Sequence, residues 1–225
     1  MANLTENNII DAVYSLLEGD NDGWETTSDE YLAARVYCNA AINLWEFYET
    51  TTWRELFVKL TDAADGDKTT SADTYTYTCP TDMRTPSSWV RINGEYYKVF
   101  SPEKIAHLSD NYGKWCYFTG SIKDGFTLNL NSKLTVTGSQ TIEYEYYKTA
   151  TKFTTTTSTT EVPDDYFIVY FVLARFLKND GEDYGEERDL YENKLDLMQT
   201  LNDSGYIGMN DYLPESVETE GGFGQ

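Results

Sequence analysis

The chain has 225 residues, 40% hydrophobic, with 38 acidic against 17 basic side chains and a formal net charge of −21. A surface this negative repels phosphate backbones and anionic lipid, which argues against nucleic-acid or membrane binding as the main activity. One histidine, His107, and three scattered cysteines, Cys38, Cys79 and Cys116, exclude His-rich metal centres, C-x-x-C zinc sites and thioredoxin-like redox chemistry.

No apolar run approaches the ~18 residues of a membrane helix. Met1-Ala2-Asn3-Leu4-Thr5-Glu6 has neither a basic stretch nor a long apolar one, so no export leader is expected. The 19 tyrosines give broad amphipathic contact surface of the kind found at protein and sugar interfaces.

In chain order, Ile9, Val13, Leu16 and Leu17 form one stripe of a helix within Asn3–Glu18, stopped by Gly19-Asp20-Asn21-Asp22-Gly23. A second helix starts at Ser28 or Asp29 and runs to Glu49. It carries Leu32, Val36, Ala40, Leu44 and Phe47 on one face, and Thr50-Thr51-Thr52 ends it. Trp53–Leu60 fits either strand or helix. A polar loop, 61–73, leads into strands: Tyr75, Tyr77 and Cys79 alternate with threonines. Trp89–Ile92, Asn93-Gly94 and Glu95–Phe100 spell a hairpin. A short helix follows Pro102, then strands at Trp115–Phe118, Phe126–Leu130 and Ile142–Tyr146. The threonine tract 151–160 reads as a linker or edge strand. Val162-Pro163-Asp164-Asp165 opens a helix that is apolar almost all round and needs burial on several sides. A last helix runs from Tyr184 past Leu201, with Tyr191, Leu195 and Met198 on one stripe.

This order predicts an α+β fold. Residues 1–60 and 161–203 would form a four-helix core, 61–160 an inserted antiparallel β module, and 204–225 an extended C-terminal arm.

Catalytic signals are weak. His107 has only Ser101 and Ser109 nearby, without a nucleophile elbow. Gly66-Asp67-Lys68-Thr69 matches only the end of a phosphate loop. With 38 acids, paired carboxylates of a glycoside hydrolase always exist, but no spacing singles out two. Glu18, Asp20, Asp22, Gly23 and Asp29 partly follow a calcium-loop template, and a solvated turn capping the second helix explains them better. No catalytic residue, metal or cofactor is expected. Trp89, Tyr96, Tyr97, Trp115 and Tyr117 suit a thin β core and subunit contacts; a carbohydrate-binding module using Trp89, Tyr97, Trp115 and Tyr117 is the alternative.

Several patterns together resemble the head-to-tail adaptor, or connector, proteins of tailed bacteriophages. They are Asn43-Leu44-Trp45-Glu46 ending the first helix pair, Cys79-Pro80-Thr81-Asp82-Met83-Arg84, and Lys114-Trp115 with Tyr117-Phe118. The strand Thr141–Lys148 and the Val162-Pro163-Asp164-Asp165 entry, followed by an acidic helix through Tyr191 and Met198, complete the set. The resemblance implies a non-enzymatic virion protein of the neck, synthesised in the host cytoplasm. It implies a homo-oligomeric ring, usually of twelve copies, beneath the portal protein, with a tail or nozzle protein on the far side and DNA passing through unbound. It also implies an arm docked on the portal; in this sequence the arm's anchors would be Tyr206, Ile207, Tyr212, Leu213 and Phe223.

Overall fold

The computed structural model describes residues 3–19, 22–105 and 113–207, the last three by backbone alone. It divides into two compact units, Met1–Thr51 with Lys152–Gln225, and Thr52–Thr151. The described residues contain five α-helices: α1 (Glu6–Glu18), α2 (Asp29–Glu46), α3 (Pro102–Ile105), α4 (Asp165–Asp180) and α5 (Gly185–Ile207).

Local chemistry sets the helix ends of the first unit. Thr5 and Ser28 accept from the amides of Asn8 and Tyr31, and Asp164 from Tyr166, each satisfying a donor the helix leaves open. Gly19 and Gly181 end α1 and α4 in the left-handed region, at φ 76° and 79°. The amides of Glu6 and Asn7 donate to the carbonyls of Ser158 and Thr156 at 2.8 and 3.1 Å. The threonine tract is thus no edge strand; it forms a turn that completes the start of α1.

α4 is the hub. Phe167, Ile168, Val169, Phe171, Val172, Leu173 and Ala174 are all buried, and α1, α2 and α5 each pack against this one helix. Full burial of such side chains stabilises by roughly 1.5–3 kcal/mol apiece. Facing it, α2 offers Ala34, Cys38 and Ala41 beside Ile42 and Trp45. Small residues on α2 let the bulky α4 approach closely.

The second unit holds nine described strands: β1 (Phe57–Lys59), β2 (Thr76–Thr78), β3 (Met83–Thr85), β4 (Trp89–Ile92), β5 (Glu95–Val99), β6 (Trp115–Ser121), β7 (Gly125–Leu130), β8 (Ile142–Glu143) and β9 (Glu145–Lys148). They form a three-stranded sheet, β1-β9-β3, and a six-stranded sheet, β2-β7-β6-β5-β4-β8. Asn93 and Gly94, at φ 49° and 81°, make the tight turn between β4 and β5 that the Asn-Gly pair predicts. One face of the larger sheet, with Val90, Ile92, Cys116, Phe118, Leu128 and Leu130, lies in the unit's core. The segment 142–148 does not run as one strand. At Tyr144 the chain leaves the larger sheet for the smaller one, and the Tyr144 carbonyl accepts from the Leu60 amide at 3.0 Å.

The expected architecture, a four-helix core with an inserted antiparallel module and an extended arm from residue 204, is corrected on three points. The helices are organised around α4, on which α1, α2 and α5 make their main contacts, with a smaller contact between α1 and α2, instead of closing together as an even bundle. The strands form two sheets, and the larger is mixed, because β5 and β6 pair in parallel through Lys98↔Trp115 and Val99↔Cys116. The reason is the path: α3 follows β5, so β6 is not reached by a tight reversal. Finally, α5 stays helical through Ile207, past the predicted start of the arm.

Candidate functional site

The face of α2 that the hydrophobic pattern marks most strongly is not the face that packs. Leu32 is 44%, Val36 64%, Leu44 37% and Phe47 57% exposed, whereas Tyr31, Ala34, Cys38, Ala41, Ile42 and Trp45 are fully buried. At about 100° per residue these two stripes lie on opposite sides of the helix. The exposed stripe is about 22 Å long from Leu32 to Phe47. It carries no charge. The charged side chains between those positions are Arg35 and Glu46. Each turns from the stripe into an ion pair, with Glu6 at 2.7 Å and Lys152 at 2.9 Å. On a chain of net charge −21, this is a strip where a neighbour can approach without like-charge repulsion.

α5 repeats the arrangement. Leu195 and Met198 are buried against α4, while Leu190 and Leu197, on a different face, are 38% and 55% exposed. Beside Leu190 and Leu197, Lys194 reaches Asp164 at 2.7 Å and lies 5.8 and 5.9 Å from the ring centroids of Tyr166 and Tyr170. Tyr166 is 51% exposed. Tyr166 on α4 and Leu190 and Leu197 on α5 are thus exposed apolar side chains on either side of Lys194, which is already paired.

In the second unit, register places Trp89, Lys98 and Trp115 in a row across the outer face of the larger sheet. Arg91 pairs with Tyr96 on the same face, and Tyr117 lies two residues beyond Trp115. Trp89 meets Tyr96 edge to face at 6.2 Å, and Trp115 lies tilted 38° to Tyr117. Tyr97, offered above as a ring-stacking residue, is corrected: it points to the opposite face and is buried in the core. Trp89, Glu143 and Glu145 line a cavity of about 240 Å³, where Glu143 is held by Arg91 at 2.9 Å.

Cys38, Cys79 and Cys116 are free thiols in the core. Burial pushes Cys79 up to about 11 and Cys116 to about 12, and raises Cys38 further, so none supplies a thiolate near neutral pH. Among the described residues no group of three or more His, Cys, Asp or Glu side chains is placed to hold a metal ion. Asp20, His107 and Ser109 lie outside the described residues, as do Tyr212, Leu213 and Phe223; Tyr206 and Ile207 sit in the last turn of α5. Sequence reasoning found the apolar stripe of α2 without saying what it packs on; the signal it missed was the run of small residues on the other side. No helix among the described residues is long and apolar enough to cross a membrane. No family model matches the chain, and no curated protein matches it.

Proposed function

We propose that this chain is a structural assembly protein, a head-to-tail adaptor of a tailed bacteriophage that forms a homo-oligomeric ring beneath the portal and bridges it to tail components. The observation that carries the proposal is the two-sided α2: one face builds the fold, and the opposite, charge-free face remains at the surface. The exposed side chains of Tyr166, Leu190 and Leu197 are its counterpart. Two different surfaces on one chain suit a heterologous, head-to-tail contact, the kind that closes into rings when the rotation per copy permits. In this reading the α2 stripe of one copy packs on the α4–α5 patch of the next. The net charge of −21 would line a bore that DNA passes without sticking, and residues 208–225 would serve as the portal-docking arm.

Mass measurement of the purified protein, alone and mixed with its portal, tests this. The expected result is a discrete multimer of the chain that co-assembles with the portal. A protein that stays monomeric in both samples contradicts the proposal.

A further inference from the structure

The cavity of about 240 Å³ in the second unit sits on the seam between its two sheets. Trp89 and Arg91 reach it from β4, Glu143 from β8, Glu145 from β9 and Lys59 from β1. The sheet change at Tyr144 makes the place: Tyr144 is itself buried, and its two neighbours bring carboxylates to the cavity wall. The lining holds two acids and two bases, so it is locally neutral on a chain of net charge −21. Only one of the two possible ion pairs is made. Arg91 and Glu143 are register partners and meet at 2.9 Å. Lys59 and Glu145 are register partners too, yet neither makes an ion pair among the described residues. The Arg91 guanidinium lies 5.8 Å from the centroid of the Tyr96 ring, and Tyr96 meets Trp89 edge to face at 6.2 Å. Cation and indole are thus both positioned against one ring before any ligand arrives.

These groups select a ligand by its hydrogen-bonding chemistry. An anion would meet Glu143 and Glu145, and the field of the whole molecule opposes it. A cation would meet Lys59 and Arg91. A zwitterion would compete for partners already joined in the Arg91–Glu143 pair, and separating that pair leaves charges uncompensated. A hydroxyl escapes all three penalties, because it donates to a carboxylate while it accepts from a guanidinium or an ammonium. Neighbouring hydroxyls can therefore bridge Arg91 to Glu143, and Lys59 to Glu145, with each pair left in place. The Trp89 indole adds flat apolar surface for the C–H face of a ring. A neutral sugar combines these two properties. A volume of about 240 Å³ falls below the roughly 300–1,000 Å³ of a pocket for a drug-sized ligand, which limits the cavity to one sugar ring.

We propose that this cavity binds one pyranose ring of a neutral saccharide, stacked on Trp89 and hydrogen-bonded by Lys59, Arg91, Glu143 and Glu145. This does not depend on the adaptor reading. The test uses the full-length protein and neutral trisaccharides of gluco, galacto and manno configuration. N-acetylneuraminic acid and glycine betaine serve as the anionic and zwitterionic comparisons. Saturation-transfer NMR reads contact with the sugar protons, and titration of tryptophan emission gives the affinity. At least one neutral saccharide should bind with a Kd of about 10 mM or tighter, and both comparisons should bind at least about tenfold more weakly. Trp89→Ala and Glu145→Ala should each weaken the saccharide at least about tenfold. Glu145 makes no ion pair among the described residues, so its variant should keep the parent's thermal midpoint and report on binding alone. No neutral saccharide bound at about 10 mM would overturn the proposal. So would equal or tighter binding of either comparison, or saccharide binding unchanged in Glu145→Ala.

Discussion

In the proposed assembly, a chain carrying Leu32→Glu and Val36→Glu should fold as the parent does and no longer associate with its own copies. Both side chains stand on the exposed stripe of α2, at 44% and 64% exposure, and glutamate is a good helix former. Each change should therefore move stability by about 0.5 kcal/mol or less. In a contact between copies the same carboxylates would lose water without gaining a partner, on a chain already at −21. Like charge forced into an interface costs several kcal/mol, which corresponds to at least about a hundredfold weaker association. Sedimentation together with thermal unfolding separates the two effects. Assembly unchanged by both glutamates would place the contact elsewhere; a collapse of thermal stability would mean that this face belongs to the core.

The second large effect concerns stability alone. Arg35→Ala should destabilise the helical unit by about 3 kcal/mol, the lower end of what breaking a buried ion pair costs. Glu6 is fully buried at the start of α1, and its Oε1 receives the Arg35 Nε–H at 2.7 Å. Its other oxygen is buried without a hydrogen-bond partner, so Arg35 is its principal compensation. The Arg35 guanidinium, 5.7 Å from the Tyr31 ring centroid, ties α1 to α2 at that point. Replacing both partners by apolar residues, Glu6→Leu with Arg35→Met, should recover most of the loss, because no uncompensated charge remains. Chemical denaturation of the single and double variants measures this. A double variant as unstable as Arg35→Ala would show that the charge is not the cause.

What the sequence made legible was whatever local chemistry decides. Asn93-Gly94 can hardly be anything but a tight turn, and the Asp164 cap and the all-round apolar α4 follow from a few adjacent residues. What it hid was decided at a distance. α2 has two stripes, and large aliphatic side chains mark the wrong one as core. The packed side is the one with Ala34, Cys38 and Ala41, where small side chains let α2 approach α4 closely. Strict alternation continues through Ile142, Tyr144 and Tyr146, so nothing local signals that the chain changes sheets at Tyr144. The parallel pairing of β5 with β6 likewise depends on the route through α3. The exposed stripe was visible as a pattern, but nothing local says which of the two sides of α2 packs.

The head-to-tail contact can be tested by mixing two single-cysteine variants, Val36→Cys and Leu197→Cys, under mild oxidation. The native thiols Cys38, Cys79 and Cys116 are at most 2% exposed and will stay silent. Disulfide-linked pairs should form in the mixture and in neither variant alone, because in the proposed ring position 36 of one copy meets position 197 of the next. Linkage of Val36→Cys to itself would indicate a two-fold pair, and no linkage in the mixture would mean that the two patches never meet. Either result contradicts the ring.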